Sequence, residues 1–141
     1  MTNSEIMASI KKLDLYRLPQ FDLLTLDEFG KIYNGFGPDS WPESLREVVT
    51  YLYRDVPELA GVHDVGFHFS DGTREGWLDT QRRWRDNIPI VLGARFPLSN
   101  PILWKDRFRA WRRARIAYRA LSLFSETLYI GAYKRNTINK T

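Results

Sequence analysis

No cysteine occurs among the 141 residues, which excludes disulfide cross-links and thiolate metal sites alike. That fits a reducing compartment or a virus particle. No run of about 18 apolar residues exists, so no segment is expected to cross a membrane as a helix. Met1 to Ile10 lacks a basic stretch followed by a continuous apolar one, so no secretory signal is expected. Internal repeats and low-complexity tracts are also missing. What is present suffices for a core: 43% of the residues are hydrophobic and 14% aromatic. The expectation is a single domain over residues 1–141, with a helical extension at 1–30 and a frayed tail at 134–141.

Charge is unevenly spread. Residues 1–100 carry 11 Lys/Arg against 15 Asp/Glu, whereas residues 101–141 carry 10 against 2. A basic C-terminal third on an acidic body points to an anionic partner: a membrane surface, nucleic acid or an acidic protein. No recognised base-reading motif accompanies the arginines, which lowers nucleic acid in that order.

Along the chain the patterning is helical. Ser4 to Leu18 places Ile6, Met7, Ile10 and Leu13 at helical spacing, with Asn3 as N-cap and Pro19 closing the segment. Phe21 to Phe29 reads as a short piece ended by Gly30. Tyr33 to Pro42 is a loop, from its Asn-Gly, Gly-Pro and Trp-Pro pairs. Glu43 to Tyr53 reads as a helix with Leu45, Val48, Val49 and Leu52 inward. Asp55 is expected to cap a helix that holds Pro57 in its first turn, Glu58 three residues on, and runs to about Phe69. After the turn at Ser70 to Thr73, a second helix is expected from Arg74 to Ile88, ending before Pro89. Two helices joined by so short a turn are antiparallel neighbours. On the second, Trp77, Leu78, Gln81, Trp84, Arg85 and Ile88 share the inward face, while Asp79 looks to solvent. Ile90 to Asn100 reads as irregular. Pro101 to Ala132 is the longest helix, with Trp104, Phe108, Trp111, Tyr118, Leu121, Phe124 and Leu128 as the core stripe and Gly131 as its stop.

Three stretches carry chemistry. Tyr33-Asn34-Gly35-Phe36-Gly37-Pro38 has two glycines one residue apart, which suit either an ordinary turn or a close approach of backbone to a ligand. Leu59 to Phe69 is apolar apart from His63 and Asp64 in its middle and His68 near its end. Neighbouring residues on a helix point about 100° apart, so His63 and Asp64 serve different neighbours. They are either a satisfied core histidine with a surface aspartate, or two parts of one site. Calcium takes about six to eight oxygens, main-chain carbonyls included. The carbonyls of Tyr33, Gly35 and Gly37 would suit one side of such an ion, the Asp64 carboxylate could supply the charge, and His63 could serve as general base on an adjacent water.

These residues resemble the phospholipase A2 superfamily, in particular its cysteine-free branch of bacteriophage and prophage proteins and the parvovirus capsid lipase domain. The pattern there is a Tyr-x-Gly-x-Gly calcium loop, His-Asp-x-x-Tyr on one helix and Ala-Asp-x-x-Phe on the next. Here the corresponding stretches are Tyr33 to Pro38, His63-Asp64-Val65-Gly66-Phe67, and Thr80-Gln81-Arg82-Arg83-Trp84. The likeness spans about Tyr33 to Tyr133. It implies a mainly α fold, an antiparallel helix pair carrying His-Asp, a glycine-rich calcium-type loop and a long basic amphipathic C-terminal helix. It also implies calcium-dependent hydrolysis of phospholipid esters in a phage-encoded protein, acting in the host cytoplasm or the virion. His63 would be the base, Gln81 its orienting partner, and Tyr33, Gly35, Gly37 and Asp64 the Ca²⁺ ligands. Two departures weaken the site: Phe67 lacks the tyrosine hydroxyl, and Gln81 stands where the pattern has aspartate. The alternative is therefore a catalytically inactive descendant that serves as a virion component or binds a host protein. Arg107, Arg109, Arg112, Arg113, Arg115 and Arg119 are either a solvated face or a contact for an anionic phospholipid surface.

Overall fold

In the computed structural model, residues 1–33 and 43–138 are described; of the latter, nothing is said of the side chains at 45, 46, 49 and 136–138. The elements are α1 (Asn3–Lys12), a 3₁₀ turn (Pro19–Leu23), α2 (Leu26–Ile32), α3 (Glu43–Tyr53), α4 (Pro57–His68), α5 (Arg74–Arg95), a second 3₁₀ turn (Pro101–Leu103) and α6 (Trp104–Ile138). The protein is mainly helical, and no strand occurs among the described residues. None of these helices is long and apolar enough to cross a membrane.

Side-chain caps set the early boundaries. Thr2, not Asn3, caps α1, in a capping box with Glu5, and Thr25 with Glu28 does the same for α2. The helix α1 stops at Lys12 rather than near Leu18, and Asp14 then adopts a left-handed backbone (φ 49°). Pro19 opens a 3₁₀ turn instead of closing a helix, and α2 runs through Gly30 to Ile32. Asp55 does not cap α4 either: Val56 holds that position without a side-chain bond, while Asp55 accepts from Arg113 Nε at 2.6 Å. Of the residues expected inward on α3, Leu52 is buried and Val48 is exposed.

Pro89 does not end α5, which continues to Arg95. A proline removes the hydrogen bond to the carbonyl four residues back. Pro89 and Arg85 both lie on the solvent side of α5, so water can serve the freed Arg85 carbonyl. Six of the residues expected to form an irregular connection, 90–95, are thus helical. Arg95 then forms an ion pair with the fully buried Glu58, which also accepts from Ser9 Oγ at 2.7 Å. That pair ties α1, α4 and α5 together.

The helices α4 and α5 run antiparallel, with Gly66 beside Thr80, His63 beside Gln81 and Glu58 beside Arg95. Close packing dictates the small residues of α4: a Cβ at Gly61 would stand 3.1 Å from Phe29 Cζ and 3.2 Å from Ile10 Cδ1. The helix α6 returns along α5, joined by Trp77 Nε1 donating to Ser125 Oγ at 2.8 Å. Its buried stripe is Ala110, Ala114, Ala117, Leu121, Ser125, Tyr129 and Ala132. The expected aromatic stripe holds only in part: Leu121 is buried and Tyr118 packs against the core, whereas Trp104, Phe108, Trp111 and Phe124 are exposed. Both stripes keep the helical period. The large side chains Trp77 and Trp84 of α5 already occupy the interface, and the α6 residues that meet them, Ser125 and Ala114, are small. Gly131 does not stop α6, which continues into residues expected to fray, as far as Ile138.

Candidate functional site

His63 lies mid-way along α4, buried and facing α5. Its Nε2 is 3.1 Å from Gln81 Oε1. Gln81 Nε2 donates to Ser122 Oγ at 3.0 Å, and Ser122 Oγ donates to the Tyr118 carbonyl at 2.8 Å. This chain fixes the tautomer. With its proton directed to Tyr118, the Ser122 hydroxyl must accept from the Gln81 amide nitrogen. The amide oxygen is then left facing His63, and an amide oxygen only accepts. Nε2 therefore carries the proton, and Nδ1 carries a lone pair with no hydrogen-bond partner among the described residues.

The surroundings favour the neutral imidazole. Burial lowers the His63 pKa to about 4, against a weaker upward pull from the Gln81 hydrogen bond. The Phe67 ring lies 4.4 Å away, tilted, and Trp84 meets the imidazole edge-on at 5.7 Å. Phe67 supplies an apolar wall where a tyrosine would add a hydroxyl. Asp79 is half-exposed and bonded to Arg82 at 2.7 Å, so it cannot replace Gln81 as partner. Leu78 and Arg85, expected on the inward face, are exposed.

Asp64 is the residue with an unmet need. It has no hydrogen bond or ion pair among the described residues, and burial alone raises its pKa to about 7. Its charge is felt by two phenols: burial first, and Asp64 second, raise Tyr33 to about 12 and Tyr53 well above its ordinary value. Tyr33 caps α2 with φ −81° and ψ 86°, where the chain leaves the helix. The Tyr33 phenol, at the first residue of the glycine loop, thus lies within electrostatic range of Asp64. Gly35 and Gly37 lie outside the described residues. No group of three His, Cys, Asp or Glu side chains capable of holding a metal occurs among the described residues. A cation at Asp64 would depend on main-chain oxygens for its remaining ligands, which suits calcium better than a transition metal.

No protein-family model, curated protein or solved structure matches this chain. The phospholipase resemblance rests on the quoted residues alone.

The six arginines expected at one surface divide into two sets. Arg113 is tied to Asp55, and Arg107 donates to the Phe96 carbonyl at 2.9 Å. Arg109, Arg112, Arg115 and Arg119 have no ion pair among the described residues, and Arg115 lies 5.0 Å over the Trp111 ring. Ser122 was invisible to sequence reasoning, because only the packing of α6 on α5 sets it against Gln81.

Proposed function

We propose that this chain is a calcium-dependent phospholipid ester hydrolase of the cysteine-free phospholipase A2 type, with an attenuated active site. The observation that supports it is the His63–Gln81–Ser122 chain, which leaves Nδ1 of a neutral imidazole without a partner among the described residues, next to an aspartate that is likewise unpaired among them. His63 Nδ1 accepts a proton from water, and the water oxygen attacks the ester carbonyl carbon. The imidazolium then returns the proton to the departing alcohol oxygen, so acid and alcohol are released with no net proton change at the histidine. Asp64 and the Tyr33 carbonyl would hold the calcium ion together with the Gly35 and Gly37 carbonyls. The ion would supply positive charge for the developing oxyanion. Gln81 orients the imidazole through a dipole only, which stabilises the imidazolium less than a carboxylate does.

A second reading is favoured by the same residues. Burial leaves His63 hard to protonate, with only a neutral Gln81, beside an apolar Phe67, to offset it, as expected in a fold retained as a virion component or a binder of a host protein. Fatty-acid release from phosphatidylcholine and phosphatidylglycerol vesicles, with calcium and with chelator, separates the two. Release that needs calcium and is lost in His63→Ala supports hydrolysis. Absence of release at millimolar calcium, in protein shown to be folded, removes the enzyme reading.

A further inference from the structure

The geometry points to a lipid-inserting wedge at the start of α6, in which aromatic rings enter an anionic bilayer surface and the neighbouring arginines hold its headgroups. Ile102 is 86% exposed, Phe108 57% and Trp104 53%, and Leu98 and Trp111 are exposed beside them. The Trp104 Nε1 proton is already given to the Leu98 carbonyl at 2.8 Å, so the ring presents apolar surface with its polar atom satisfied. Phe108 and Trp111 are stacked with centroids 6.1 Å apart. At about 100° per residue, Trp104, Phe108, Trp111 and Arg115 fall within a sector of about 60°, with Arg112 and Arg119 at its edge. The buried alanine stripe lies to one side of this sector, so the rings are surplus to the core.

The chemistry of the patch selects its occupant. Arginines without ion pairs call for an anionic surface, and aromatic rings with arginine suit the headgroup boundary of a bilayer. Leu98 and Ile102 are aliphatic and offer no stacking platform for bases, which disfavours single-stranded nucleic acid. A second copy docked on this face would bury Arg112, Arg115 and Arg119 of both copies, a like-charge concentration that an anionic surface instead neutralises. The wedge goes beyond the hydrolase reading and does not rest on it, because its test reads binding alone.

Co-sedimentation of the full chain with phosphatidylcholine vesicles, with and without phosphatidylglycerol, tests the wedge across a range of salt. Binding should favour the anionic vesicles, fall on the order of fivefold for each of Arg112, Arg115 and Arg119 changed to Gln, and retain a component that survives high salt. The triple change Trp104→Ala, Phe108→Ala, Trp111→Ala should remove that component, at on the order of tenfold or more per ring. The side chains are exposed, so helicity should be unchanged. The single change Ile102→Glu repeats the test should the triple variant misfold. His63→Ala should bind like the wild type, which separates this result from any failure of hydrolysis. Binding that salt abolishes entirely, or a triple variant that binds as well as the wild type, overturns the wedge. So does tighter binding to a single-stranded oligonucleotide than to vesicles, or a dimer that the triple change dissolves.

Discussion

Replacing Gln81 with glutamate tests the site most directly, because it keeps the length of a side chain that touches both His63 and Ser122. A carboxylate about 3 Å from His63 Nε2 replaces an amide oxygen at 3.1 Å. Two opposite charges about 4 Å apart interact by about 4 kcal/mol at an effective dielectric of about 20. At about 1.4 kcal/mol per unit, that is about three pKa units. His63 begins at about 4, so the variant should titrate near 7, with the glutamate correspondingly held ionised. The imidazole signals in an NMR pH titration read this directly, without any assumption about activity. In the serine-protease triad, replacing the orienting aspartate by asparagine costs about 10⁴ in kcat. If the hydrolase reading holds, Gln81→Glu should raise phospholipid hydrolysis by a substantial part of such a factor. Gln81→Asp should gain less, because it is one methylene shorter and loses the reach to Ser122. Adding Phe67→Tyr should improve either variant by giving the carboxylate a hydroxyl partner, and His63→Ala should abolish every gain. An unmoved His63 titration refutes the geometry. A titration that moves while hydrolysis stays at zero refutes the enzyme and leaves the binding fold.

Millimolar calcium should raise the melting temperature of the wild type and leave Asp64→Asn unmoved, since a ligand of the native state stabilises it by mass action; equal shifts in both would remove the metal site. Without calcium, Asp64→Asn should be more stable than the wild type above about pH 7. The raised pKa means that between about pH 4 and 7 the folded state keeps a proton on Asp64 that the unfolded state has already released, so stability falls as pH rises over that window. The cost is about 4 kcal/mol for the full shift, or about 2 allowing for the partial exposure of Asp64, as denaturant melts at pH 5 and pH 8 would show. His63 acts in the opposite direction: its lowered pKa makes stability decline as pH falls from about 6.5 to 4, and His63→Phe should flatten that limb. Overpacking the inner stripe with Ala114→Leu should cost about 1–3 kcal/mol, whereas Phe124→Ala should stay within about 0.5; a reversed order in denaturant melts would restore the aromatic stripe to the core.

The sequence by itself determined the helices, because apolar spacing, the turn at Ser70 to Thr73 and the acidic and basic halves are local properties. It also placed Gln81 inward and Asp79 outward, since one helix and its period are enough to separate them. It failed where two local rules compete or where a partner is distant in the chain. Asn3 and Asp55 look like caps, but Thr2 takes the first role and Arg113 draws away the second. Pro89 looks like a stop, yet its freed carbonyl partner faces water. On α6 an aromatic stripe and an alanine stripe fit the period equally well. Hydrophobicity favours the aromatics for burial, and the bulk of Trp77 and Trp84 on the facing helix decides for small residues where they meet α6, at Ser125 and Ala114. The same packing brings Ser122 to Gln81 and so sets which nitrogen of His63 carries the proton. Pattern along one helix tells which side faces inward, but the size of what it meets there belongs to the tertiary structure.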